Sequence, residues 1–184
     1  MTRLFTFMLS DEEKMTLKEL VKRSISSKLE GTDDTPADPG AGKLTEPMGA
    51  FVTLTLDGKL RGCIGNLQAE EPLYKTIWNM ARSAAFNDPR FPALTREEFE
   101  RLEIEISILS HIAECRDKLA IEVGRHGVII QRGEKSGLLL PQVPVQWGWN
   151  REQFLEQTCH KAGLDPSVLN LTGTNIFWFE AVVF

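Results

Sequence analysis

The chain has 184 residues, 42% of them apolar and 26% charged, and a formal net charge of −5. This length holds one domain, or two closely packed subdomains, and buries about 70% of its unfolded surface, so folding requires neither disulfide nor metal. The acidic balance argues against nonspecific coating of nucleic acid or of an anionic membrane.

At the N-terminus the apolar run Leu4–Leu9 is too short for a membrane span and no small-residue cleavage site follows it, which predicts a soluble, cytoplasmic protein. Ser10 and Glu13 form a capping box, and Leu17, Leu20, Val21, Ile25 and Leu29 recur at helical spacing, so a helix is expected over Asp11–Leu29. Gly31–Pro47, rich in Asp, Thr, Pro and Gly, reads as a surface loop, with a functional lid as the sharper alternative. Two strands follow, Ala50–Leu56 and Lys59–Ile64, joined by Asp57-Gly58. A helix then starts after Pro72, carries Leu73, Ile77, Met80, Ala81, Ala84 and Ala85 on one stripe, and stops at Asn87-Asp88-Pro89.

Thr95 and Glu98 cap a short helix, and Leu102–Leu109 alternates as a half-buried strand whose other face carries Glu103 and Glu105. The turn Gly124-Arg125-His126-Gly127 leads into a strand at Val128–Gln131, and Leu138–Leu140 returns after a polar turn. Pro141 to Pro144 ends that apolar run, Asn150 caps a last helix through Ala162, and Ile176–Phe184 reads as a covered strand. Strand links are mostly hairpins and no βαβ repeat occurs, so the expected class is α+β, an antiparallel sheet with flanking helices.

The residues with most chemical content are Leu60-Arg61-Gly62-Cys63-Ile64-Gly65. A two-residue turn at Asp57-Gly58 sets Leu56 opposite Lys59, Leu54 opposite Arg61 and Val52 opposite Cys63, with Arg61 and Cys63 on one face. A neighbouring guanidinium favours thiolate, the reactive form of a thiol, and Gly62 and Gly65 leave room for another backbone or a ligand. The same register sets Cys63 beside Val52 and Leu54, where the plainer reading is a small buried hydrophobe. Other candidates are His126 as a base for Cys63, Arg90 held by Asp88 to bind a carboxylate or phosphate, Glu105 in acid–base chemistry, and Gln142 in a small-molecule pocket with Trp147 and Trp149. Each has a plainer reading: a hydrogen-bonded turn histidine, a turn stapled by Asp88 and Arg90, a solvated carboxylate face, and tryptophans plugging the core.

Three cysteines, Cys63, Cys115 and Cys159, lack C-x-x-C spacing and suit reduced thiols. Nothing in the spacing of histidines and cysteines asks for a metal, and no phosphate loop, dinucleotide fingerprint or serine nucleophile elbow occurs, so no cofactor is assigned. By spacing alone the sequence identifies no reaction.

These blocks resemble the AMMECR family. The resemblance is carried by Gly49-Ala50-Phe51-Val52-Thr53, the cysteine hexapeptide, Asp88-Pro89-Arg90-Phe91-Pro92, Ile104-Glu105-Ile106-Ser107-Ile108-Leu109, His126-Gly127-Val128, Leu140-Pro141-Gln142-Val143 and Cys159-His160-Lys161-Ala162-Gly163-Leu164, in order along nearly the whole chain. It implies a single α+β domain of two unequal subdomains, the smaller formed by the middle of the chain, with a cleft between them and the hexapeptide near it. Such proteins look like component A of the AmmeMemoRadiSam set, which implies Memo-type and radical S-adenosylmethionine proteins as partners but no assigned reaction. Two functions are therefore expected: a thiol-dependent enzyme or modification-system component using Cys63, Arg61 and His126, or a binding module that docks a partner protein or RNA.

Overall fold

The computed structural model describes residues 7–32, 34–68 and 70–184; positions 4–6 of the N-terminal apolar run lie outside the described residues. The chain divides into two compact units, a larger one of residues up to 109 together with 182–184, and a smaller one of Ser110–Ala181. Both are mixtures of helices and antiparallel strands, the α+β class expected from the hairpin links and the absence of a βαβ repeat.

The larger unit begins with α1 (Asp11–Leu29), whose capping box forms as the Ser10 and Glu13 side chains satisfy each other's backbone N–H groups. β1 (Ala50–Leu56) and β2 (Lys59–Asn66) form the hairpin, followed by α2 (Leu73–Phe86), the short α3 (Arg96–Phe99) and β3 (Leu102–Leu109). The three strands pair antiparallel in the order β2-β1-β3, and Phe184 exchanges both backbone hydrogen bonds with Ile106, extending the sheet beyond β3. Ala50, Val52, Leu54, Ile106 and Ile108 are fully buried in one core with Leu17, Val21 and Ile25 of α1 and Ile77 and Ala81 of α2. The small Ala84 brings α2 close to β2. A Cβ at Gly62 would lie 2.1 Å from the Ala84 carbonyl oxygen.

The turn has the expected form, with both Asp57 and Gly58 at positive φ. The register beyond it differs from the sequence reading. Leu56 faces Lys59 as expected, but the pairing shifts between Leu54 and Thr55, so that Thr55 faces Leu60, Leu54 faces Gly62, and Thr53 faces Cys63. Arg61 is the extra residue of a β-bulge. One inserted residue moves every later side chain to the other face. Cys63 therefore leaves the apolar face of Val52 and Leu54 and joins the face of Thr53.

The smaller unit contains β4 (Ala113–Glu114), β5 (His126–Arg132), β6 (Lys135–Leu139), α4 (Gln142–Trp147), α5 (Arg151–Lys161) and β7 (Asn175–Val183), whose last residues pass into the larger unit. Its strands run in the order β6-β5-β7-β4, all antiparallel. Phe154, Leu155 and Cys159 of α5 form its core with Val128, Ile130 and Ile176. α4 was not expected from the prolines. Pro141 precedes its first residue and Pro144 lies in its first turn, where a helix has no use for the missing N–H, and Gly148 in the left-handed region ends it. Among the described residues no helix is long and apolar enough to cross a membrane.

Candidate functional site

The bulge at Arg61 arranges a polar row across the larger unit's sheet. Thr53 pairs with Cys63 on one side and with Glu105 of β3 on the other, so all three share the face opposite the helices. The Thr53 hydroxyl donates to Cys63 Sγ at 3.3 Å. Cys63 is half-buried, whereas Cys115 and Cys159 are buried and burial pushes both of their thiols up.

β2 is an edge strand of this unit, and the backbone N–H and C=O of Cys63 point off its open edge. Asp88 and Arg90 receive them. α2 ends at Phe86, and Pro89 prevents its continuation, so the chain turns and brings Asp88 against β2. Asp88 Oδ2 accepts the Cys63 N–H at 2.9 Å and Arg90 Nη2 at 2.7 Å, while Oδ1 accepts Arg90 Nε at 2.9 Å. Arg90 Nη2 also donates to the Cys63 carbonyl at 3.2 Å. The two side chains thus clamp the cysteine's own peptide groups, a use of the Asp88–Arg90 pair that goes beyond stapling their turn.

The Asp88 side chain is buried, and its bonds to Arg90 outweigh the cost of burial, holding the carboxyl well below the usual carboxylate range. Arg90 is correspondingly pushed up, chiefly by Asp88 and in smaller part by the Cys63 sulfur. Its side chain is 47% exposed, so it reaches solvent beside the thiol.

Arg61 does not flank the thiol as the simple hairpin register required. Its guanidinium is buried, makes a two-pronged pair with Glu98 at 2.8 and 2.9 Å, and donates to the Pro92 carbonyl at 2.9 Å. It ties the bulge to the segment that follows α2. Arg61 lowers Glu98 to about 2, the largest of several causes. A carboxylate depressed in the folded state contributes stability above its unfolded value of 4.5, and the contribution fades as pH falls from there toward about 2. Glu98→Gln is accordingly expected to be less stable than the parent at neutral pH and to show a flatter loss of its denaturation midpoint across that acid window.

The glycines of the hexapeptide serve packing. The space beside Gly62 is filled by α2, and a Cβ at Gly65 would lie 2.2 Å from the Phe51 ring, which covers that residue across the hairpin. His126 belongs to the smaller unit, and the larger unit contains no histidine. His126 Nδ1 accepts the Glu122 N–H at 2.9 Å, so the proton of the neutral ring sits on Nε2, 4.0 Å from Glu180. Burial, and then Arg125, pull this histidine down. Its one lone pair is thus engaged by the Glu122 N–H. Gln142, half-buried, opens α4, and Trp147 lies 70% exposed and stacked on Trp149 at 6.0 Å.

Thr53 and Glu98, which complete the surroundings of Cys63 and Arg61, were missed by sequence reasoning. The Thr95–Glu98 capping box was visible, but nothing in it signalled a partner for Arg61.

The AMMECR1 family model matches residues 18–184. This chain belongs to the AMMECR1 family. It is 38% identical over 179 residues to Protein NEQ441 of Nanoarchaeum equitans, covering 92% of this chain and 98% of that one. It is 41% identical over 189 residues to Protein MK0488 of Methanopyrus kandleri, covering 94% and 90%. The crystal structure of the uncharacterised protein PH0010 from Pyrococcus horikoshii superimposes with a TM-score of 0.89 at 38% identity, over 95% of this chain and 92% of that one.

Proposed function

We propose that this AMMECR1-family chain is a thiol-dependent enzyme, or the thiol-bearing component of a modification system, with Cys63 as its nucleophile. The supporting observation is the setting of the sulfur: half-buried, accepting from the Thr53 hydroxyl, with its backbone fixed on both sides by Asp88 and Arg90. Hydroxyl donors and guanidinium groups are what a thiolate needs around it. Arg90 would meet an anionic part of a small-molecule substrate, and Glu105, on the same face, would handle a proton. Arg61 acts as a positioning residue that holds the bulge, and His126 has no part in the scheme. Memo-type and radical S-adenosylmethionine proteins are the partners such a component would serve.

The test is the rate of alkylation of Cys63 by iodoacetamide, followed by mass spectrometry, in the parent, Thr53→Val and Arg90→Gln. Both variants are expected to slow the reaction about fivefold, the equivalent of one lost hydrogen bond of about 1 kcal/mol. Equal rates in all three proteins would remove the argument for a tuned thiol.

A binding module without chemistry of its own is the second reading. Asp88 neutralises Arg90 at the Cys63 peptide, which favours an edge built for docking over one built for proton transfer. Co-purification with a Memo-type or radical S-adenosylmethionine protein that survives Cys63→Ser but is lost in Arg90→Ala would favour it.

A further inference from the structure

The larger unit carries a second feature, away from Cys63, that the thiol reading does not use. Asp34, Thr35, Pro36 and Asp38, between α1 and β1, line an open pocket of about 520 Å³ together with α2. Tyr74 and Trp78, both buried, line it from α2, and Lys75 and Arg82, seven residues apart, put two cations on the same side. Asp34 and Asp38 line it from the loop side, the Asp38 carboxylate also accepting the Gly40 N–H at 2.9 Å.

These charges do not pair with one another. Arg82 donates to the Ser24 carbonyl at 3.3 Å, the Ser27 hydroxyl at 2.9 Å and the Asp34 backbone carbonyl at 3.0 Å, and its guanidinium lies 4.9 Å from the centre of the Trp78 ring. It is thus anchored by neutral oxygens, and the loop is tied to it through backbone rather than carboxylate. Lys75 lies over the Tyr74 ring, with its nitrogen 5.9 Å from the ring centre. Among the described residues none of Asp34, Asp38, Lys75 and Arg82 has an ion-pair partner within hydrogen-bonding reach, although other arginines of this unit, Arg61 and Arg90, hold carboxylates. A half-buried guanidinium that lines an open pocket with no counter-charge among the described residues is complementary to an anion. The loop carboxylates opposite it are complementary to a cation.

We propose that this pocket binds a small zwitterion, with its ammonium on the Asp34 and Asp38 side and its carboxylate on the Lys75 and Arg82 side, over the aromatic floor of Tyr74 and Trp78. The volume is that of a small-molecule site, and a dipeptide with free termini carries both groups. The loop is then a wall of a binding site.

Calorimetric titration of the full chain with Gly-Phe and Phe-Gly, and with the N-acetylated and C-amidated form of each, tests this. At least one free dipeptide is expected to bind, and blocking either terminus to weaken it by about tenfold or more, the effect of losing a charge-assisted contact. Asp34→Asn and Lys75→Gln, both at exposed positions, are expected to weaken the free dipeptide similarly while leaving the thermal transition in place. Cys63→Ser is expected to bind as the parent does, which separates this inference from the thiol reading. Absence of heat with either free dipeptide, or binding that neither blocked terminus nor either variant changes, would overturn it.

Discussion

Gly62→Ala is expected to unfold the larger unit or leave it insoluble. The added methyl would lie 2.1 Å from the Ala84 carbonyl oxygen and 3.0 Å from its carbon. Both atoms are helix backbone, so relief requires moving α2 off the sheet and away from Val52 and Leu54. Overpacking of a core by one methyl typically costs about 1–3 kcal/mol when side chains can adjust. Here the nearest atoms are all backbone of Ala84, and a loss of about 3 kcal/mol or more is expected. Chemical denaturation reads it as a large drop in midpoint or as protein that does not purify. Cys63→Ser, one residue away and half-buried, is the control, expected to shift the midpoint little. If the two variants were equally stable, the close approach of α2 to β2 would be wrong.

Asp88→Ala carries the second large effect, and it touches both stability and the thiol. The carboxylate holds the Cys63 N–H and three donor contacts from Arg90. Removing it leaves an edge N–H without its acceptor and an arginine without its partner. Arg90 is half in solvent and can turn to water, so the loss falls below that of a fully buried pair; about 2–3 kcal/mol is expected. Asp88→Asn should recover little of this, because its amide presents a donor to at least one of the same donors. Because Asp88 is the group that fixes the Cys63 peptide, the alkylation rate of Cys63 should also change in Asp88→Asn, under conditions where the variant is folded. A variant as stable as the parent, with the parent's thiol reactivity, would show that the clamp does nothing.

Elements whose signals were local were legible in the sequence. The helix over Asp11–Leu29, the first strand and the Asp57-Gly58 turn follow from capping, alternation and turn chemistry within a few residues. The face of Cys63 did not, because it depends on one bulged residue, and a bulge at Arg61 reflects a partner thirty-seven residues on, Glu98. Counting pairs outward from a correct turn therefore placed Cys63 beside Val52 instead of Thr53. The bridge between Asp88 and the Cys63 N–H was likewise hidden: the turn around Pro89 was visible, but its docking onto the edge of β2 is a tertiary event. Arg61, adjacent in sequence to the thiol's glycine, proved to be structural, while Arg90, distant in sequence, is the cation beside Cys63.

The bulge turns Cys63 onto a polar, partly open face, where we propose that it is a reactive thiol. The most direct measurement is mass spectrometry of the native chain after brief exposure to iodoacetamide, with the three cysteines resolved by peptide. A single adduct on Cys63, with Cys115 and Cys159 modified only after unfolding, is the expected result. Cys63 labelled no faster than the two buried cysteines, with all three appearing together as the protein unfolds, would contradict it.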